Sequence, residues 1–161
     1  MRRLGNFFYY YRSILPIPFY LLILYYGILT RAGLLWGSIF IASGFALRIW
    51  ASGFSDATSR YRYFSIHQVI TSGPYRYSRH PLYLGNFLLT LGVLILYAPG
   101  LFITLVVILL FLFEYLTIIT AEESFLIEKA GAKYEEYKKS VAMIIGFKST
   151  RKRVSQEQRF L

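Results

Sequence analysis

From Pro81 to Phe113 the chain runs for 33 residues without a charged side chain, and Pro99-Gly100 interrupts that run near its middle. About 20 apolar residues suffice for a helix to cross a bilayer. The run is too long for one span and suits two, with Pro-Gly as the tight turn between them. Ser13 to Thr30 and Ala32 to Ala46 are also free of charge. The pattern predicts an all-α integral membrane protein with about four transmembrane helices, over about 13–30, 33–51, 81–98 and 101–120. The length of the first run, its Pro16 and Pro18, and the lack of a small-x-small site after it argue against a cleaved signal peptide.

Composition narrows the classes further. The chain is 56% hydrophobic and 16% charged, yet carries a net charge of +10. Soluble domains are roughly 25% charged, and disorder requires low hydrophobicity. A soluble nucleic-acid binder needs a polar surface for its basic residues, and too little polar sequence is present to make one. The 161 residues allow a single domain. Cysteine is absent and His67 and His80 are the only histidines, which argues against disulfides, metal centres and haem.

Basic residues favour the cytoplasmic side of membrane spans. Arg2, Arg3 and Arg12 precede the first span, and Arg60, Arg62, Arg76 and Arg79 separate the second from the third. Nine more basic residues follow the fourth, and only Arg31 lies between the first two. Both termini and a loop over 52–80 are therefore expected in the cytoplasm. Leu126, Ile127, Ala130, Tyr134, Tyr137 and Val141 repeat at helical spacing, predicting an amphipathic cytoplasmic helix over 122–141. The basic, polar tail over 147–161 is expected to be mobile.

Three features carry chemistry. The first is Gly73-Pro74-Tyr75-Arg76-Tyr77-Ser78-Arg79-His80-Pro81-Leu82-Tyr83-Leu84-Gly85-Asn86, at the mouth of the third span. Pro81 suits the first position of a helix, whose free N–H groups, beside Arg76, Arg79 and His80, could hold a carboxylate. The second is Glu122-Glu123 at the end of the fourth span, and the third is Glu114, a carboxylate within that span. Plainer readings stand beside these: the arginines as membrane-edge anchors, the acid pair as a solvated helix end, Glu114 as a structural partner in the bundle.

The ordered set Gly-x-Tyr-x-x-x-Arg-His-Pro-x-Tyr-x-Gly, a helical hairpin, Glu-Glu, Leu126-Ile127, Gly131, Tyr134 and Tyr137-Lys138-Lys139 resembles the isoprenylcysteine carboxyl methyltransferase family, grouped with the membrane phospholipid methyltransferases. The match covers about residues 65–141. It implies an S-adenosylmethionine-dependent membrane enzyme without a Rossmann fold. The resemblance carries cofactor contacts onto His67, Gln68, Val69, Ile70, Tyr75, His80, Pro81, Leu82, Tyr83, Glu122 and Glu123. Arg79 and Glu114 are the expected catalytic residues, and no metal or nucleic acid is expected. The acceptor would be a lipid-like molecule entering from the bilayer.

One departure bears on the acceptor. Relatives acting on a prenylcysteine carboxylate have an Arg one turn before the acid pair, and here that position is Ile118. With Glu114 nearby, the expectation favours a lipid amine or hydroxyl, with Glu114 binding it or taking its proton. Two other readings compete. Membrane sterol-type reductases, which use a nicotinamide nucleotide, have a similar segment, but with Asn and an acid where this chain has Leu82 and Asn86. A non-catalytic membrane scaffold gives no reason for the motif and acid pair to occur together.

Overall fold

A computed structural model of the chain describes residues 7–8, 10–11, 14–55 and 69–144. They include helices α1 (Pro16–Tyr26), α2 (Arg31–Ser55), α3 (Pro81–Tyr97), α4 (Leu101–Ala130) and α5 (Ala132–Ser140), with a 3-10 turn at Gly73–Arg76 before α3. No strand occurs among the described residues. Residues 56–68 of the expected 52–80 loop, including His67 and Gln68, lie outside them, as does the 147–161 tail.

The all-α expectation holds, and the four expected spans correspond to two long apolar helices and two shorter ones. Two helices, α2 with 25 residues and α4 with 30, are long and apolar enough to cross a membrane. Only 17% and 28% of their most apolar stretches is buried, the reverse of a core helix in a soluble protein. Their outward faces carry exposed Leu35, Ile49, Phe102 and Leu109. At 1.5 Å per residue, α1 is only about 16 Å long. Its chain leaves the helix at Gly27, which is extended and sits where a Cβ would lie 2.6 Å from the Cβ of Tyr97. The expected 13–30 and 81–98 spans are thus represented by shorter apolar helices, α1 with 11 residues and α3 with 17.

Glycines set the closest packing. A Cβ on Gly37 would stand 2.7 Å from the carbonyl oxygen of Gly92, and one on Gly44 would stand 2.9 Å from that of Gly85. The backbones of α2 and α3 thus touch along a seam of small residues, as membrane helices do when no side chain intervenes. The turn between α3 and α4 falls at Pro99-Gly100 as expected, with Ala98 left-handed at φ 40 and Gly100 at φ 89. Ile23, Leu94 and Val107 form a buried cluster towards that end, packed by Phe19 and Tyr97.

The other end of the bundle gathers the C-terminal end of α2, the N-terminus of α3 and the polar turns of α4. The expected cytoplasmic helix over 122–141 is divided here. Helix α4 runs unbroken from Leu101 through Glu122-Glu123 to Ala130, and the break comes at Gly131, with φ 54. The apolar stripe read from the sequence still forms one cluster. Tyr134, Tyr137 and Val141 are buried against Leu126, Ile127, Ala130 and Val69. The stripe closes on itself across the bend, so α5 folds back on α4.

Candidate active site

The Gly73–Pro81 segment is fixed from both sides. Gly73 has φ +58, and the Phe54 ring lies 2.6 Å from where its Cβ would be, so only glycine fits this corner. Pro74 accepts backbone hydrogen bonds from Tyr77 and Ser78. Pro81 then opens α3, where its missing N–H leaves no bond unmade. The Tyr137 hydroxyl donates to the Tyr75 carbonyl at 2.6 Å. Burial pushes the Tyr75 hydroxyl up to about 12, so it stays neutral and acts as a hydrogen-bonding group rather than a base.

Arg79 anchors the C-terminal segment. Its Nη1 donates to the carbonyls of Lys138 at 2.8 Å and Val141 at 2.9 Å. Its backbone N–H donates to Ala142 at 3.0 Å. Its Nη2 reaches Glu123 at 2.8 Å, both side chains being buried. Lys138 meets the other Glu123 oxygen at 2.8 Å. His80 stands between the two acids, with Nε2 3.3 Å from Glu123 and Nδ1 3.6 Å from Glu122. Burial alone would raise the Glu123 carboxyl. Hydrogen bonds from His80 and Lys138 and the charges of Arg79 and Lys138 outweigh it and hold Glu123 at about 2.

The two acids thus differ. Glu123 is enclosed by three cationic or polar partners, whereas the Glu122 side chain keeps 22% of its surface exposed. Two buried polar atoms beside them, Arg79 Nε and the Tyr134 hydroxyl, have no hydrogen-bond partner among the described residues. From His80 an aromatic path leads inward. Tyr83 stacks on the His80 ring at 5.7 Å, and Tyr115 meets Tyr83 edge-on at 5.2 Å. Asn86 donates to the Tyr115 hydroxyl at 2.8 Å.

The expected site residues fall into three groups. Arg79, His80, Pro81, Tyr83, Glu122 and Glu123 come together, and Tyr75 and Val69 adjoin them through Tyr137 and its cluster. Ile70 and Leu82 are partly buried close by in sequence. His67 and Gln68 lie outside the described residues. Glu114 stands apart, about 12 Å along the helix axis from Glu122 at 1.5 Å per residue. It is buried in a cleft shared with Phe19, Tyr20, Thr90 and Phe111, and its Oε1 has no partner among the described residues.

This arrangement can be set beside known proteins. The model of the isoprenylcysteine carboxyl methyltransferase family matches residues 38–128, more than half of the chain. The chain belongs to this family. The isoprenylcysteine carboxyl methyltransferase match takes in α2 from residue 38 onward, the His80–Pro81 segment and both acids. Among curated relatives, a protein-S-isoprenylcysteine O-methyltransferase of Schizosaccharomyces pombe is 38% identical over 76 residues, 47% of this chain and 31% of the relative. One from Saccharomyces cerevisiae is 39% identical over 85 residues, 52% of this chain and 34% of the relative. The chain spans about a third of the length of these relatives. No solved structure matches it.

Lys138, Tyr115 and Asn86 were not among the site residues expected from the sequence, although Lys138 and Asn86 stand in the quoted motifs. Lys138 lies in a run of helix-surface charges that looks like any solvated face.

Proposed function

We propose that this protein is an integral membrane methyltransferase that moves a methyl group from S-adenosylmethionine to the carboxylate of an isoprenylcysteine-like acceptor. The observation that carries this reading is His80 bridging Glu122 and Glu123 at the entrance of α3, inside the segment matched by the family. The residues fit the cofactor. The partly exposed Glu122 suits an ammonium, and the unpartnered Arg79 Nε and Tyr134 hydroxyl suit a carboxylate. Tyr83 offers an aromatic face. Glu123, with its ring of partners, orients Arg79 and His80.

S-adenosylmethionine supplies an electrophilic methyl: an acceptor oxygen bonds to it as the carbon–sulfur bond breaks and the electron pair returns to sulfur. A carboxylate is already anionic and needs no base for this attack, whereas an amine must first lose a proton. The preference for an amine or hydroxyl acceptor finds no support in the relatives, both named for isoprenylcysteine. The reductase and scaffold readings gain nothing from the relatives either. The four-helix topology with cytoplasmic termini belongs to this proposal, α1 and α3 completing the bundle around the two long helices.

The test uses purified protein, methyl-labelled S-adenosylmethionine and either S-farnesylcysteine or a membrane lipid extract. A base-labile labelled methyl ester of farnesylcysteine is expected. Label on a lipid amine would overturn the acceptor, and no label despite cofactor binding would overturn the transfer.

A further inference from the structure

Arg48 lies on α2, two turns before the helix ends at Ser55. Its stem crosses α3 at Gly85, where a Cβ would meet Arg48 Cγ at 2.6 Å and Cδ at 3.5 Å. Gly85 is one turn inside Pro81, so the crossing is one turn deeper than the His80–Glu123 network. The residue after Gly85 is Asn86, which fixes the Tyr115 hydroxyl at 2.8 Å. Arg48 is partly buried, and among the described residues it makes no hydrogen bond or ion pair.

A partly buried cation within an apolar helix is unfavourable unless an anion or water meets it. Two other cations near the site, Arg79 and Lys138, both hold Glu123, and Arg76 is exposed at the surface. Arg48 is the cation that an incoming anion would meet on the apolar side of that network, at Gly85, one turn deeper than Pro81 along α3. Its planar fork matches a carboxylate through two parallel hydrogen bonds.

We propose that Arg48, crossing α3 at Gly85, holds the acceptor's carboxylate and selects an anionic acceptor over its neutral amide. This rests on the functional reading above and names the residue that sets its substrate class. Gly85 is then part of the device, because any side chain there would push the Arg48 stem aside.

The experiment compares S-farnesylcysteine with its carboxamide on wild-type protein, Arg48→Met and Arg48→Lys in lipid nanodiscs. Acceptor binding, S-adenosylmethionine binding and methyl transfer are measured separately. Wild-type protein should bind the carboxylate roughly 10- to 100-fold tighter than the carboxamide, the range of a charge-assisted bond. Arg48→Met should lose that preference and raise KM for the carboxylate, with cofactor affinity unchanged. Arg48→Lys, which keeps a charge and most of the stem, should retain part of it. Cofactor binding reports folding in each variant. An Arg48→Met protein that binds cofactor and keeps the wild-type preference would overturn the proposal alone, leaving Arg48 to face lipid headgroups. If Arg48→Met failed to bind cofactor, the lysine variant decides: full wild-type preference there would overturn the role of the fork. Wild-type protein that binds cofactor but neither binds nor methylates farnesylcysteine would overturn the functional reading and this proposal with it.

Discussion

Arg79 and Glu123 lie 44 residues apart in the chain and meet at 2.8 Å, with less than a tenth of either side chain exposed. The pair joins the entrance of α3 to the polar end of α4. Through two further carbonyls Arg79 also ties down the end of α5. Its geometry makes it a positioning residue for the acids and His80.

Removing one partner should therefore be costly. Arg79→Met leaves Glu123 partly uncompensated and frees two carbonyls, an effect of about 3 kcal/mol for a buried pair. Lys138→Met breaks a contact at a side chain 42% exposed, where solvent screening limits the loss to less than about 1 kcal/mol. Denaturation in detergent should rank the two variants in that order. Equal losses would contradict the assignment.

The depressed Glu123 carboxyl predicts a pH dependence. Its value of about 2 lies below the ordinary 4.5, so its contribution is complete above about 4.5 and is lost as pH falls from there towards 2. Wild-type thermal midpoints should drop across that window. Glu123→Gln should start lower and show a flatter acid limb.

Glu122 should behave differently from its neighbour. Glu122→Gln is expected to weaken S-adenosylmethionine binding at least roughly tenfold, the loss of one charge-assisted bond, while the thermal midpoint without cofactor changes little. Calorimetry separates the two readouts. Unchanged affinity would remove Glu122 from the cofactor site.

The glycine seam gives a contrast within one helix pair. Gly37→Leu and Gly92→Leu should unfold the bundle or force α2 and α3 apart, because even a Cβ meets the facing carbonyl at 2.7 to 2.8 Å. Gly53, also on α2, has nothing within 4 Å of its Cβ position. Gly53→Ala should raise stability slightly, by up to about 1 kcal/mol of helix propensity. Thermal melting of both sets in the same lipid measures this.

Much of the frame was legible in the sequence. Pro81 starts α3 and Pro99-Gly100 turns it into α4, because proline and glycine act through local backbone constraints. The end of α4 was not, since the change from apolar residues to Glu122-Glu123 marks a boundary of polarity. Glutamate and lysine remain good helix formers, and the break waits for Gly131. The grip of Arg79 on Lys138 and Val141 joins segments some 60 residues apart, beyond any local spacing. The seam left a trace that went unread: Gly37 and Gly44, and Gly85 and Gly92, are each seven apart, two turns on one helical face.

Helix α4 carries both Tyr115 and Glu122 on one uninterrupted rod, so the rise between them is set at about 10 Å by helical geometry. A methyl donor seated at one level and an acceptor at the other cannot be brought closer by bending this helix. Any closing movement has to come from pieces jointed to it, the segment leading into Pro81 or the short helix beyond Gly131. In the proposed reaction the helix would serve as a ruler, with the parts around it making the adjustment.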